Sequence, residues 1–337
     1  MRQLAARCTA RANSSGRAPR EPPATVKLLL EPPSTYFVHV PKTGGLSLAA
    51  FLEGRFRPSE TVTIMPPTMR EMEVADLRGF RLYHSMHQGR TLLEMTGRHD
   101  LACITMVRDP VERSVSQILY LQRVVAREPE TFTPEYLDAV RPVLDADLGE
   151  RIDDTAFALA CDRQIRTLGI REDYTPFFKG SPDAASGRSV LRPYDPPPLM
   201  DVGDADRLLA NARSWLREMA VVGIQERYRD SVLLVCDALG LAAPKVLPRR
   251  NVNPGKGDVE RRYRDRLSPR VVAQLEELTE HDRRLYAFAR ELFDEQWAAF
   301  LARPKRIYSI GPRLRLAAGA ARDVLHRAGR LVRGRSA

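Results

Sequence analysis

Residues 39–48 read HVPKTGGLSL, and their order carries chemistry. Gly44 and Gly45 allow a tight turn and a close backbone approach to an anion. If a helix follows, its first N–H groups and its dipole favour negative charge. Lys42 adds a mobile point charge, and Thr43 and Ser47 add hydroxyl donors. The set suits phosphate or sulfate. It is not a Walker A loop, in which the lysine follows the glycines and precedes Ser or Thr. A glycine-rich turn after a strand also occurs for purely structural reasons, so composition alone leaves both readings open. His39 falls inside the preceding apolar run and reads as a packed or supporting histidine.

A second segment, Thr105 to Ser116, reads TMVRDPVERSVS. Arg108 would sit at the carboxyl end of a strand, where open α/β sheets bind ligands. Ser116 would lie about two turns into the next helix. A phosphate and a long arginine side chain can bridge that gap. Arg113 reads as a structural salt bridge more readily than as a ligand contact. Between the two segments, LYHSMHQG places His84 and His87 near the end of another strand, as candidate general bases.

The elements that would hold these residues follow from pattern. Tyr36–Val40 is a short buried-strand run, followed by the glycine turn and by Leu48, Phe51 and Leu52 at helical spacing. Further strands are predicted at Phe80–Tyr83, Leu101–Val107 and Ala220–Ile224. Asp109 fits N-cap, Pro110 fits N1 and Glu112 fits N3, a capping-box start for a helix whose apolar side is Val111, Val115, Ile118, Leu119 and Leu121. Helices are predicted at about 154–168, at Ser231–Leu239 ending on Gly240, and within 268–300. The alternation predicts an α/β domain with a parallel sheet. No internal repeat is found.

The two anion segments, in this order, resemble those of sulfotransferases that use 3′-phosphoadenosine-5′-phosphosulfate (PAPS). The similarity is closest to the carbohydrate branch, with the heparan sulfate and uronyl 2-O-sulfotransferases and their bacterial relatives. VVGIQERYRDSVLLVCDALGL (221–241) and NVNPGKG (251–257) also resemble that family, so the likeness spans about residues 35–300. It implies one P-loop-like parallel sheet flanked by helices, and in-line transfer of a sulfuryl group from PAPS to a carbohydrate or glycolipid hydroxyl without a metal. The implied donor contacts are Pro41, Lys42, Thr43, Gly44, Gly45, Leu46 and Ser47 around the 5′-phosphosulfate, with Lys42 at the leaving oxygen. Arg108 and Ser116 correspond to the 3′-phosphate contacts. The implied base is a histidine ending a strand, usually preceded by glycine. Here neither histidine has that glycine: His87 fits the usual distance to Arg108 better, and His84 shares a preceding tyrosine with some relatives. Arg123, Arg127, Arg163 and Arg166 can meet an acidic sugar or simply solvate the surface. The rivals are a non-catalytic phosphoadenosine-binding or membrane-docking protein and a nucleotide kinase. Retention of Lys42 and both histidines counts against the first, and the lysine-before-glycine order against the second.

Composition bounds the rest. A chain of 337 residues holds one large α/β domain. The net charge of +10 sits on the ends: residues 1–25 hold five arginines against one glutamate, and residues 311–337 hold seven against one aspartate. Residues 26–310 are therefore formally neutral, which excludes the basic footprint of a nucleic-acid-binding domain. Residues 1–33, rich in Arg, Ala, Pro and Ser, read as a disordered leader without the apolar core of a secretory signal. The folded body is expected at 34–300. The basic tail, 301–337, gathers Leu314, Ala317, Ala321, Val324, Leu325, Ala328, Leu331 and Val332 on one helical side, a pattern able to lie on an anionic membrane surface. The four cysteines show neither CxxC nor zinc-like spacing and read as reduced thiols. A cytoplasmic protein, peripheral on the membrane through its tail, is the expectation.

Overall fold

The structure is a computed structural model; it describes residues 31–64, 69, 71–86, 88–131, 134–149, 161–170, 179, 202–247 and 262–303. The leader to residue 30, His87, the 251–257 segment and the tail from 304 lie outside the described residues. All described residues belong to one compact unit beginning at Glu31.

Five parallel strands form one sheet: β1 (Thr35–Val38), β2 (Thr61–Ile64), β3 (Leu82–Ser85), β4 (Ala102–Val107) and β5 (Val221–Ile224), in the order β2-β3-β1-β4-β5. Register pairs Phe37 with His84 and with Ile104 across its two neighbours. Strands β1, β3 and β5 are buried at every position, as expected when helices cover both faces. The α/β class and the parallel sheet flanked by helices therefore follow the sequence reading. One strand escaped it: β2, TVTI, is short and only half buried on the sheet edge, so no apolar run marks it. The expected strand at Phe80–Tyr83 sits two residues later, because Arg81 faces outward and is held by Glu31 and Glu60.

Nine helices are described: α1 (Gly45–Glu53), α2 (Thr91–Thr96), α3 (Pro110–Arg127), α4 (Pro134–Leu144), α5 (Arg163–Gly169), α6 (Val202–Glu218), α7 (Tyr228–Ala238), α8 (Pro269–Leu278) and α9 (Glu280–Ala302). Successive side chains of β1 point to opposite faces. Tyr36 meets Trp215 of α6, ring centroids 6.2 Å apart, while Phe37 stacks on His39 and His84 beneath α1. An aromatic pair such as Tyr36–Trp215 adds about 0.5–1.5 kcal/mol beyond its buried area. A second apolar cluster joins Val111, Val115, Ile118 and Leu121 of α3 to Val140 and Val143 of α4 and to Val271 and Leu275 of α8. It anchors α3 away from the sheet and leaves the opposite side of that helix facing the strand ends.

Strands β1 and β4 are neighbours, yet the chain leaves them in opposite directions, toward β2 and toward β5. Such a divergence opens a crevice at the carboxyl ends of the strands, the general ligand position in open α/β sheets. The loop after β1 contains Lys42, and the turn after β4 contains Arg108.

Candidate functional site

The loop after β1 joins an unusual backbone to an uncapped helix start. Gly44 takes φ +82°, a left-handed position that suits glycine, and it is the N-cap of α1. No side chain caps that helix; the Ser47 N–H donates to the Gly44 carbonyl at 3.1 Å, and ahead of it stand the N–H groups of Gly45 and Leu46. Lys42 also takes a left-handed φ, +72°, uncommon for a residue with a side chain. Thr43 does not offer its hydroxyl outward; Oγ1 donates to the Val40 carbonyl at 2.8 Å and closes the turn. Ser47 is buried and hydrogen-bonded to Tyr228 of α7. Leu46 is exposed on the first turn and Pro41 is half-buried.

Gly45 is needed for a different reason. A Cβ there would lie 2.1 Å from Cδ2 and 2.3 Å from Nε2 of His39. His39 is thus the floor of the loop. Its Nδ1 shares a 2.8 Å hydrogen bond with Nε2 of His84, and the two rings stack 5.0 Å apart. The Nδ1 of His84 points toward Glu53 Oε1 at 3.9 Å, beyond hydrogen-bond reach. Burial pushes the His84 pKa down to about 4, so its ring is neutral at physiological pH. Of the two expected bases, His84 therefore turns both ring nitrogens to protein groups inside the sheet flank. His87 lies outside the described residues.

Arg108 is 7% exposed and organises the second half of the site. Its Nη1 donates to the carbonyl oxygen of Lys42 at 3.2 Å, and its Nη2 to Glu112 Oε2 at 3.2 Å. The guanidinium lies 5.7 Å from the Tyr263 ring centre. Its Nε is buried without a hydrogen-bond partner. The two sequence segments, 66 residues apart, thus meet directly. Gln164 of α5 holds the backbone of Arg108 from both sides: its Oε1 accepts the Arg108 N–H at 3.0 Å, and its Nε2 donates to the Arg108 carbonyl at 2.9 Å. Asp282 of α9 in turn accepts the N–H groups of Gln164 and Ile165 at 3.2 and 2.9 Å, fixing the start of α5.

The start of α3 matches half of the expected capping box. Asp109 accepts the Glu112 N–H at 3.0 Å. The Glu112 carboxylate, however, does not reach back to Asp109. It is spent on Arg108 and on the Arg264 N–H, and Glu226 takes the Asp109 N–H at 3.0 Å instead. Arg113 is wholly buried, but the expected salt bridge is not formed: all three guanidinium nitrogens lack a hydrogen-bond partner. Burial lowers its pKa, opposed by the fields of Asp282, Cys161 and Asp162. Ser116 is half-buried on the side of α3 opposite its apolar stripe, with Tyr120, Arg123 and Arg127 following at helical spacing.

Lys42 receives the sum of these charges. Its ammonium sits 4.1 Å over the ring centre of Tyr120. Burial first, then the positive charges of Arg123, Arg108 and Arg113, lower its pKa to about 8. Four cations stand in electrostatic reach of one another, and among the described residues Glu112 is the one carboxylate ion-paired to any of them. Sequence reasoning missed Gln164 as a brace, Glu112 as the partner of Arg108, and Tyr120, Tyr228 and Asp282. Apart from Glu112 with Arg108, their contacts lie far apart in the chain, so no local pattern marks them: Gln164 meets Arg108 across 56 residues and Asp282 across 118. Arg163 and Arg166 sit on α5 beside this brace, and Arg127 is exposed.

The geometry places a cation-lined crevice at the switch point of a parallel α/β sheet. The chain matches no protein-family model, and no curated protein is significantly similar to it. Among the described residues, no cluster of His, Cys, Asp and Glu is arranged to hold a metal ion, and no helix is long and apolar enough to cross a membrane.

Proposed function

We propose that this chain is a PAPS-dependent sulfotransferase that modifies a hydroxyl of a carbohydrate or glycolipid. One observation carries the reading: a lysine-bearing phosphate loop without Walker order is joined, through the Arg108–Lys42 hydrogen bond, to a second cationic site on the neighbouring strand. One terminal phosphate does not require two such sites; a nucleotide phosphorylated at both 3′ and 5′ positions does. The residues fit that group, because Arg108 keeps a buried Nε unsatisfied and the first turn of α1 is uncapped.

The donor supplies an activated sulfuryl group carried on a 5′-phosphate. Residues Thr43–Ser47 surround the 5′-phosphate with backbone N–H groups. Lys42 provides positive charge where a phosphate oxygen departs, the kind of fixed electrostatic help that is worth most in a partly desolvated site. Arg108 and Ser116 hold the 3′-phosphate. His87 accepts the proton of the acceptor hydroxyl; His84 is the alternative base.

Titration calorimetry with 3′-phosphoadenosine-5′-phosphate (PAP), AMP and ATP tests the donor assignment. PAP should bind far more tightly, and Arg108→Ala should weaken PAP by about 1.5–3 kcal/mol, the worth of a charged hydrogen bond, while barely affecting AMP. Equal affinity for AMP and PAP sinks the assignment. Transfer of labelled sulfate from PAPS into fractionated lipid and polysaccharide extracts identifies the acceptor. In that assay an inactive His84→Ala beside an active His87→Ala moves the base to His84.

A further inference from the structure

Tyr120 has no part in the reading above, yet it is the side chain that meets the Lys42 ammonium. Three observations converge on it. Lys42 is held at both ends: its backbone is in a left-handed conformation with the carbonyl bonded to Arg108, and its ammonium rests on the Tyr120 ring. On the same ring, the Arg123 guanidinium lies 6.0 Å from the centre. Arg123 is the largest charge acting on Lys42, and among the described residues it makes no ion pair or hydrogen bond. Two cations share one aromatic ring with no carboxylate between them. Their repulsion would drive the flexible lysine toward water unless the ring's negative face held it. Finally, Tyr120 is rigidly carried. It stands one turn beyond Ser116 on α3, which is locked into the second apolar cluster through Val115 and Ile118, and Tyr120 itself packs against that cluster.

We infer that Tyr120 is a positioning residue for Lys42. It fixes the ammonium at the mouth of the phosphate loop against the push of Arg123, and it ties that position to the helix that carries Ser116 and begins two residues after Arg108. The role of Lys42 toward a sulfuryl donor rests on the proposed function; the holding of its ammonium by Tyr120 does not.

A double-mutant cycle on the full chain separates the two, with binding read by calorimetry against PAP and, in parallel, inorganic pyrophosphate. Tyr120→Leu should weaken PAP binding by about three- to thirtyfold, the range of a partly desolvated cation–π contact. Tyr120→Phe, which keeps the ring, should stay near wild type. In a Lys42→Met background, Tyr120→Leu should change affinity less than about twofold, because residues that act through one another are not additive. A general packing role would leave the Tyr120→Leu defect undiminished in that background, and this result overturns the inference, as does a Tyr120→Leu protein that binds like wild type. If the wild type binds pyrophosphate but not PAP, the sulfuryl-donor reading fails, and the same cycle read on pyrophosphate decides the role of Tyr120. If it binds neither, both fall.

Discussion

A single methyl group at position 45 should disable the site. In Gly45→Ala the new Cβ would stand 2.1 Å from His39 Cδ2 and 2.9 Å from Cγ. Ordinary contact needs more than an ångström of further separation. His39 cannot yield freely, because its ring stacks on Phe37 at 5.4 Å and on His84 at 5.0 Å, and its Nδ1 is bonded to His84 at 2.8 Å. If the ring turns away, that buried bond breaks and a polar nitrogen is stranded, at about 1–3 kcal/mol. If α1 lifts instead, the overpacking costs about 1–3 kcal/mol and the loop after β1 loses its shape. Either way denaturant unfolding should show Gly45→Ala less stable by roughly 1–3 kcal/mol, and calorimetry should show PAP binding strongly weakened. The decisive comparison is the same substitution in a His39→Ala background. There the obstacle is gone, Gly45 has an ordinary negative φ in the first turn of α1, and alanine is intrinsically better than glycine in a helix by up to about 1 kcal/mol. The methyl should then be neutral or stabilising, a change of sign. Equal costs in the two backgrounds, or a harmless Gly45→Ala in the wild type, would refute the argument that His39 is the floor of the loop.

Two pH dependences follow from the same neighbourhood. The Lys42 pKa is lowered to about 8, so its ammonium is charged below that value, and PAP affinity should fall as pH rises through about 8; the fall should flatten in Lys42→Met, and an identical profile in that variant would remove Lys42 from the contact. His84 has its pKa pushed down from 6.5 to about 4, so between those values the unfolded chain binds a proton that the folded one refuses. Its contribution is intact above about pH 6.5 and is lost on acidification toward pH 4, on the order of 3 kcal/mol in total. Unfolding curves of wild type and His84→Phe across that window should therefore differ in slope, with the variant less acid-sensitive there.

The parts of the fold that were legible in the sequence are those whose signal is local. The apolar runs of β1, β4 and β5 stood out because a parallel strand is buried on both faces. The start of α3 was readable because Asp109 and Pro110 act within one turn. The same logic explains the misses. TVTI at the sheet edge has no long apolar run, and α6 follows a Pro-rich stretch that hides its first turn although Trp215 is among the most buried side chains. Glu112 obeyed its short-range pattern in sequence but not in space. Arg108 and Arg264, one of them 152 residues away, offered its carboxylate better partners in the folded state than the Asp109 N–H.

The candidate site shows the same division more sharply. Residue types at positions 42, 44, 45, 108 and 116 proposed an anion, but nothing local to either segment says that the two belong together. The strand order says it: β4 is inserted beside β1 after β2 and β3 have been laid on the other side, so the turn after one strand faces the loop after the other. Once they are adjacent, further requirements appear that neither segment contains. Arg108 must be braced, and Gln164 does it with both ends of one amide. Gln164 must itself be held, and Asp282 does so from α9, 118 residues further on. The wholly buried Arg113 lies within the field of Asp282 and Asp162, and burial, with Asp162 acting on Asp282 as well, raises both carboxyl pKa values. The buried cation and the two carboxylates are tolerable together because Arg113 favours the charged form of each carboxyl and they favour its own, against the repulsion between the two carboxylates. The chain therefore surrounds its candidate site with groups that are individually unfavourable, and one of them, Asp282, sets the Arg108 backbone through Gln164.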